Sequence, residues 1–265
     1  MGDHKRAKPA IQIKAQVFVA TPTYSGAVTA ECAVSMQIAT LHCFTRGVIL
    51  DWQMAPGFSL VQHGRNWLNS EFLTRTDCTH LLWLDDDVSF EPDAIMKMIE
   101  RDKDVVAGVY TTKHPKTPTF PYEALGAPKD GLQEARKVPG GFLLLKRDVV
   151  KKISDLCDVY MLTHNGVTRK AAHMFDVLMI DSDNFPGEKE LLGEDFVLCY
   201  RLIEYGYKIF VETDIDFAHY GRYAWLGNLA ETLKKEQEAG ITGQGSEIAH
   251  EKNNDMQQKQ LAANA

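Results

Sequence analysis

The sequence lacks what would place it in a membrane, in a disulfide scaffold or, by bulk charge, on nucleic acid. No apolar run approaches the ~18 residues that a bilayer-crossing helix needs, and the opening MGDHKRAKPA has no apolar stretch of the signal-peptide kind. A cytoplasmic protein without a membrane span is expected. There are only five cysteines, Cys32, Cys43, Cys78, Cys157 and Cys199, an odd number with no CxxC pair. That pattern excludes a disulfide framework and a zinc knuckle and points to reduced, structural thiols. Positive charge is in deficit, with 29 Lys and Arg against 36 Asp and Glu and a net charge of -7. No global basic field attracts nucleic acid or an anionic membrane. Internal repeats are absent as well.

What is present is a globular composition: 265 residues, 45% hydrophobic and 25% charged, enough to bury roughly three quarters of the unfolded surface. Disorder, collagen and coiled coil are excluded. The length predicts one main domain with tails: a basic tail over 1–15, a domain over 16–228, and a C-terminal helix and polar, disordered tail over 229–265.

Strands and helices alternate along the chain. Gln16 to Ala20 reads as a first strand, running into turn chemistry at Thr21-Pro22-Thr23-Tyr24-Ser25-Gly26. A helix ended by Gly47 follows, then the strand VILDWQM, a Pro56-Gly57 turn and a helix from about Leu60 to Thr74. HLLWL is a short strand that ends abruptly in Asp85-Asp86-Asp87. Phe90-Glu91-Pro92 is expected to begin a helix with Pro92 near its first position and Ile95, Met96, Met98 and Ile99 as its buried stripe. VVAGVY is the next strand, and Thr111 to Val138 reads as a long mobile or substrate-facing loop. VPGGFLLLKRDVV gives a Gly-Gly turn, a strand and a helix start; GEDFVLCYRLIEYGY gives a helix capped by Gly206; KIFVET is a late strand leading to His219. The class is therefore α/β, a mostly parallel sheet flanked by helices, with ligand sites beyond the carboxyl ends of the strands.

The Asp triplet stands at such an end. Three adjacent carboxylates repel one another unless solvent or a cation relieves them, and a hard divalent ion takes one or two protein carboxylates with phosphate oxygens and water filling the rest. Alternation along an extended segment would put Asp85 and Asp87 on one face; a solvated acidic turn is the plainer reading. Glu194-Asp195 opens a helix, where the dipole keeps a carboxylate ionised and able to accept a proton from an alcohol, or is an ordinary N-terminal helix charge. His219 is a third metal ligand beside the triplet or a satisfied imidazole. Arg65 neutralises a diphosphate or is a surface charge, and Tyr24 is a stacking platform or plain packing.

Taken in order, ATPTYSG, Arg65-Asn66, LLWLDDDVSFEPDAI, VVAGVYTTK, VPGGFLLLKRDV, GEDFVLCYRLIEYGYKIFVE and AHYG resemble the GT-A-fold glycosyltransferases, especially small inverting family-2-like enzymes of bacterial and phage type. The resemblance covers about residues 15 to 226. It implies a Rossmann-like GT-A domain with a nucleotide-sugar half over about 16–110 and an acceptor half over about 111–228. It implies a donor, UDP-hexose foremost, whose base and ribose lie against Thr21, Pro22, Thr23 and Tyr24, with Arg65 near the uracil or diphosphate. Asp85 would hold the ribose or a Mn²⁺ or Mg²⁺ ion, with Asp86 beside it, while Asp87 and His219 coordinate that metal. Gly140-Gly141 would let the chain approach sugar and acceptor, with Lys113 on the acceptor side. Asp195, with Glu194 beside it, would be the acceptor-activating base. The location would be the host cytoplasm for a phage-encoded chain.

The acceptor stays open: a glycan precursor, a protein or a hydroxymethylated base in phage DNA. Between residues 111 and 151, eight Lys and Arg against four Asp and Glu leave +4, which suits a phosphate backbone or merely solvates a loop. Rival readings remain. LDDDVS also resembles the DxDx[VT] of haloacid-dehalogenase phosphatases, with Asp85 as nucleophile, although that family carries it on its first strand. A nucleotidyltransferase would show a Gly-rich, basic loop after the first strand, which TPTYSG lacks. A non-catalytic sugar-nucleotide-binding module is the third.

Overall fold

The computed structural model describes residues 12–75, 77–113, 119–182, 185–221 and 224–239. Strand β1 (Ala15–Thr23) runs into helix α1 (Ala30–Phe44), β2 (Val48–Pro56), α2 (Val61–Thr74) and β3 (His80–Leu84). β1 lies between β2 and β3 and is parallel to both, so Val17 to Ala20 are fully buried and apolar without alternation. The strand does not stop at Ala20 as expected. Thr21, Pro22 and Thr23 continue it, paired with Met54, Ala55 and Pro56 of β2. The reason is local: β3 pairs only with Val17 to Ala20, so beyond Ala20 one side of β1 is free and a proline is tolerated.

The hydroxyl of Thr29 accepts the Cys32 N–H and starts α1. Gly47, at φ +82°, ends the turn after it, and a side chain there would overlap the Gln12 carbonyl. After β3 come β4 (Val88–Phe90), α3 (Ala94–Glu100) and β5 (Val105–Gly108). Pro92 is not at the first position of α3; it sits in the turn before Asp93, the N-cap. Phe90 is held in β4 by pairing with Phe217, which delays the helix; Ile95, Met96 and Met98 are buried as expected and Ile99 packs against them.

The segment expected as a long loop holds β6 (Glu123–Ala124) and β7 (Leu132–Lys137). Gln133 and Ala135 alternate inward between charged neighbours, and the Gln133 amide donates to the carbonyls of Leu125, Gly126 and Glu134. A strand written in polar residues hides its period. Then follow β8 (Phe142–Lys146), α4 (Arg147–Leu156), β9 (Val159–His164), β10 (Val167–Ala172), β11 (Leu178–Asp181), β12 (Lys189–Leu192), α5 (Glu194–Glu204), β13 (Ile209–Glu212), β14 (Asp216–Tyr220), β15 (Ala224–Asn228) and α6 (Leu229–Glu238). β9 and β10 form a hairpin, as do β11 and β12.

The central sheet has the order β2-β1-β3-β8-β5-β13-β7-β6. β2, β1, β3, β5 and β13 run one way, while β8 and β7 oppose them; the sheet is mixed and mainly parallel, flanked by helices. Along β3, Leu81 and Trp83 enter one core with Phe72 of α2, and Leu82 and Leu84 enter the other with Met36 of α1. The chain leaves β1 toward β2 and returns through α2 to β3 on the opposite side, so strand order reverses between β1 and β3. The carboxyl ends of those two strands carry Thr23 and Leu84, and a crevice opens there.

Candidate functional site

A cavity of about 390 Å³ occupies this switch point, lined by Pro22, Thr23, Tyr24, Phe58, Ser59, Val61, Asp85, Asp86, Asp87 and His219. Of the residues expected on the donor side, Pro22, Thr23 and Tyr24 line it, and Tyr24 is 77% exposed at its rim. Thr21 does not: it is buried and its hydroxyl accepts the Trp52 indole N–H at 2.9 Å. Phe58, Ser59 and Val61 were missed. They follow β2 just as Tyr24 follows β1, so the rule of strand carboxyl ends would have found them.

β3 ends at Leu84, and Asp86 and Asp87 lie in a turn, so the alternation expected to align Asp85 with Asp87 breaks off. Their partners differ. Asp85 Oδ1 accepts from Arg65 Nη2 at 3.1 Å and Oδ2 from the Tyr110 hydroxyl at 2.7 Å. Asp87 is in contact with the Lys113 ammonium and lies 3.4 Å from His219 Nε2. Burial works to raise the Asp87 carboxyl, but hydrogen bonds from His219 and Lys113 win and hold it below the usual range. Burial raises Asp86, against the Thr23 hydroxyl, and repulsion from its neighbours adds to the rise. Beneath them the buried Cys32 thiol is pushed up to about 12 by burial and by the three carboxylates; it stays protonated.

His219 does not follow a strand but sits within β14, whose register sets it opposite Val88. The Tyr220 N–H donates to the Asp87 carbonyl at 2.8 Å, extending that pairing. His219 Nδ1 is 2.8 Å from the Thr111 carbonyl, which fixes the ring so that Nε2 faces Asp87 Oδ1.

Arg65 is 3% exposed and sits away from the cavity lining. Its Nη1 donates to the Gly140 carbonyl at 3.1 Å, Nη2 to Asp85, and Nε lies 3.5 Å from Glu194 Oε1. The guanidinium rests over Trp83 and Phe175, 5.4 and 5.6 Å from the ring centroids. Burial opposes its charge, but Asp85, Glu194 and Asp195 outweigh that and keep it protonated. Arg65, expected near the uracil or diphosphate, is bonded internally and does not line the cavity. Its contacts form a bridge between the two acidic sites.

Gly140 and Gly141 lie against the same bridge. A side chain at Gly141 would overlap the Tyr110 hydroxyl and Asp85 Oδ2, and one at Gly140 would press on Asp195 Cβ at 3.1 Å and Arg65 Cζ at 3.3 Å. The Gly140 N–H donates to Asp195 Oδ2 at 3.3 Å and the Phe196 N–H to Oδ1 at 2.8 Å. Burial, then repulsion from Glu194, raises the Asp195 carboxyl despite Arg65 and these N–H groups. A carboxylate shifted upward at a helix start is a better proton acceptor than one in water.

The described cations of the +4 stretch are largely paired. Arg136 faces Glu123, Lys137 faces Glu123 and Glu190, Lys146 faces Asp102 and Asp104, and Lys151 faces Asp155; Arg147 donates to the Phe72, Leu73 and Cys78 carbonyls. Lys113, expected at the acceptor, is instead on Asp87. Lys116 lies outside the described residues.

Among the described residues no three His, Cys, Asp or Glu side chains converge into a ready metal cage. Asp85 is taken up by Arg65 and Tyr110. Asp87, which faces Lys113 and His219 Nε2, lies at the crevice with that imidazole, and a carboxylate and an imidazole fit Mn²⁺ or Mg²⁺ when phosphate oxygens and water complete the shell.

No family model matches the chain, nor does any curated protein. Among solved structures it is similar to A197 from STIV, at 15% identity over 80% of this chain and 94% of that one, with a TM-score of 0.49. It is also similar to a glycosyltransferase involved in the glycosylation of the major capsid of PBCV-1, at 14% identity, 51% of this chain and a TM-score of 0.31, where it spans 62% of that chain. These are likenesses of shape; the chemistry rests on this chain's own residues. No helix among the described residues is long and apolar enough to cross a membrane.

Proposed function

We propose that the chain is a glycosyltransferase of GT-A type, moving a sugar from a nucleoside-diphosphate sugar, UDP-hexose foremost, to an acceptor hydroxyl with inversion. The observation that carries this reading is the bridge from Asp85 through Arg65 to Gly140 and Glu194-Asp195. It couples an acidic nucleotide crevice to a second carboxylate whose environment suits a base. The crevice, at a strand-order reversal, offers Tyr24 and Phe58 to a base and Asp87 and His219 to a metal-bound diphosphate.

In this mechanism Tyr24 and Phe58 hold the base, and Asp85, fixed by Arg65 and Tyr110, accepts from a donor hydroxyl. Bound at Asp87 and His219, Mn²⁺ or Mg²⁺ would neutralise charge developing on the departing diphosphate. Asp195 Oδ takes the acceptor proton as the acceptor oxygen bonds to the anomeric carbon and the bond from that carbon to the diphosphate oxygen breaks, its electron pair leaving with the nucleoside diphosphate. The hydrogen bonds from Arg65 and Tyr110 to the two oxygens of Asp85 lower its nucleophilicity, which disfavours a phosphatase nucleophile, while each oxygen keeps a lone pair for a donor hydroxyl. The acceptor is a glycan precursor, a protein hydroxyl or a modified DNA base; among the described residues, the internal pairing of Lys113, Arg136 and Lys137 favours the first two.

The test is release of nucleoside diphosphate from a panel of nucleotide sugars, with and without Mn²⁺, in the presence of mixed acceptors. Metal-stimulated release from one donor is expected. No release from any donor would transfer the reading to a non-catalytic binding module.

A further inference from the structure

Lys113 is out of place for an acceptor residue. Its ammonium touches Oδ2 of Asp87, the same carboxylate whose Oδ1 faces His219 Nε2 at 3.4 Å. The three side chains are 34%, 26% and 16% exposed, so the pair is drier than an ordinary surface ion pair and more strongly coupled. It is also the chain's own answer to the repulsion within the triplet: among the described residues Arg65 compensates Asp85, Lys113 compensates Asp87, and Asp86 has the Thr23 hydroxyl and distant help from Lys113. Asp87 cannot hold both an ammonium on Oδ2 and a divalent ion at full strength.

We infer that Lys113 is an exchangeable counter-ion: it occupies Asp87 while the crevice is empty and passes to the donor's diphosphate when a divalent ion takes its place. This rests on the reading of the crevice as a nucleotide-diphosphate site. The chemistry favours the exchange in one direction only when both ligands arrive. A divalent ion alone must strip Asp87 of its lysine and leave that ammonium facing the ion. A diphosphate alone must enter beside three carboxylates. Together, the ion satisfies Asp87 and His219, and the phosphate oxygens receive the ammonium, whose three N–H donors on a flexible stem suit a point contact with phosphate. Lys113 therefore makes metal and nucleotide binding mutually dependent, and linkage requires the dependence to be equal in both directions.

The test is calorimetric titration of the full chain and of K113A and K113R with Mn²⁺ alone, UDP alone in chelator, UDP with Mn²⁺, and uridine; GDP and guanosine replace them if UDP does not bind. For K113A the expectation is tighter binding of Mn²⁺ alone, weaker binding of the diphosphate, and unchanged binding of the nucleoside. The enhancement of Mn²⁺ affinity by nucleotide, of roughly 5- to 150-fold in a coupled site, should shrink several-fold, and K113R should keep it. Wild-type diphosphate affinity in K113A would overturn the exchange and leave Lys113 a plain ion-pair partner. If the wild-type chain binds neither diphosphate in any condition, the crevice reading itself falls.

Discussion

Replacing Arg65 by Met should destabilise the protein more than any other single change at the site. The guanidinium is 3% exposed and binds the Gly140 carbonyl and Asp85 Oδ1, each at 3.1 Å, with Glu194 at 3.5 Å. Methionine keeps the packing on Trp83 and Phe175 but supplies neither donor nor charge. A buried carbonyl left without its partner costs about 1–3 kcal/mol. Removing one member of a buried ion pair costs about 3–5 kcal/mol, most of it the isolation of the charge left behind. The two overlap, so about 3–5 kcal/mol is the expected total, a fall in Tm of roughly 6–20 °C for a chain near this size. Thermal unfolding followed by circular dichroism would measure it. R65K should recover only part, because one ammonium cannot reproduce the fork that reaches Gly140 and Asp85 together. If R65M unfolds within 1 °C of wild type, the bridge holds nothing and the coupling between the two acidic sites is unsupported.

Other expectations follow from the same contacts. The raised Asp195 carboxyl makes its ionised form a burden on the fold that is absent at low pH and sets in as pH rises from the ordinary 3.8 through the raised value. D195N should therefore melt higher than wild type near pH 7, with the gap closing toward pH 3, and a gap independent of pH would contradict the shift. In the wild type, the acid limb of kcat/KM should have its midpoint above 3.8, with activity falling as Asp195 gains its proton. G141A would force a methyl group into the Tyr110 hydroxyl and Asp85; a loss of about 1–3 kcal/mol is expected by thermal melting, together with weaker nucleotide binding. R101A leaves Glu212, whose side chain is 1% exposed, without its cation; it should lower Tm through a cost of about 3 kcal/mol while leaving nucleotide affinity, read by calorimetry, unchanged.

Much of the fold was legible where apolar periodicity is strong. HLLWL is a central strand with the expected ends, and the strand expected after Gly140-Gly141 is central too, because residues buried on both faces of a sheet leave a continuous apolar run. β7 was not legible, since its inward Gln133 is satisfied by carbonyls rather than by apolar neighbours. The β9–β10 hairpin was overlooked although Asn165-Gly166, at φ +47° and +75°, carries its turn signal. At the site, the residue types of Asp85, Asp87, His219 and Asp195 announced themselves. Their partners did not, because Tyr110, Lys113 and Arg65 reach them across 25, 26 and 20 residues of chain, and only the sheet order brings these together.

The central claim is that one crevice binds a nucleotide sugar through Asp87 while Asp195 activates the acceptor. Nucleoside diphosphate release and donor affinity measured side by side for wild type, D87A and D195N test it most directly. The expectation is metal-stimulated release by wild type, loss of metal stimulation and of donor affinity in D87A, and in D195N a turnover lower by roughly 10²–10⁴ with donor affinity retained. Wild-type turnover in D195N, or undiminished metal-dependent donor binding in D87A, would contradict the account.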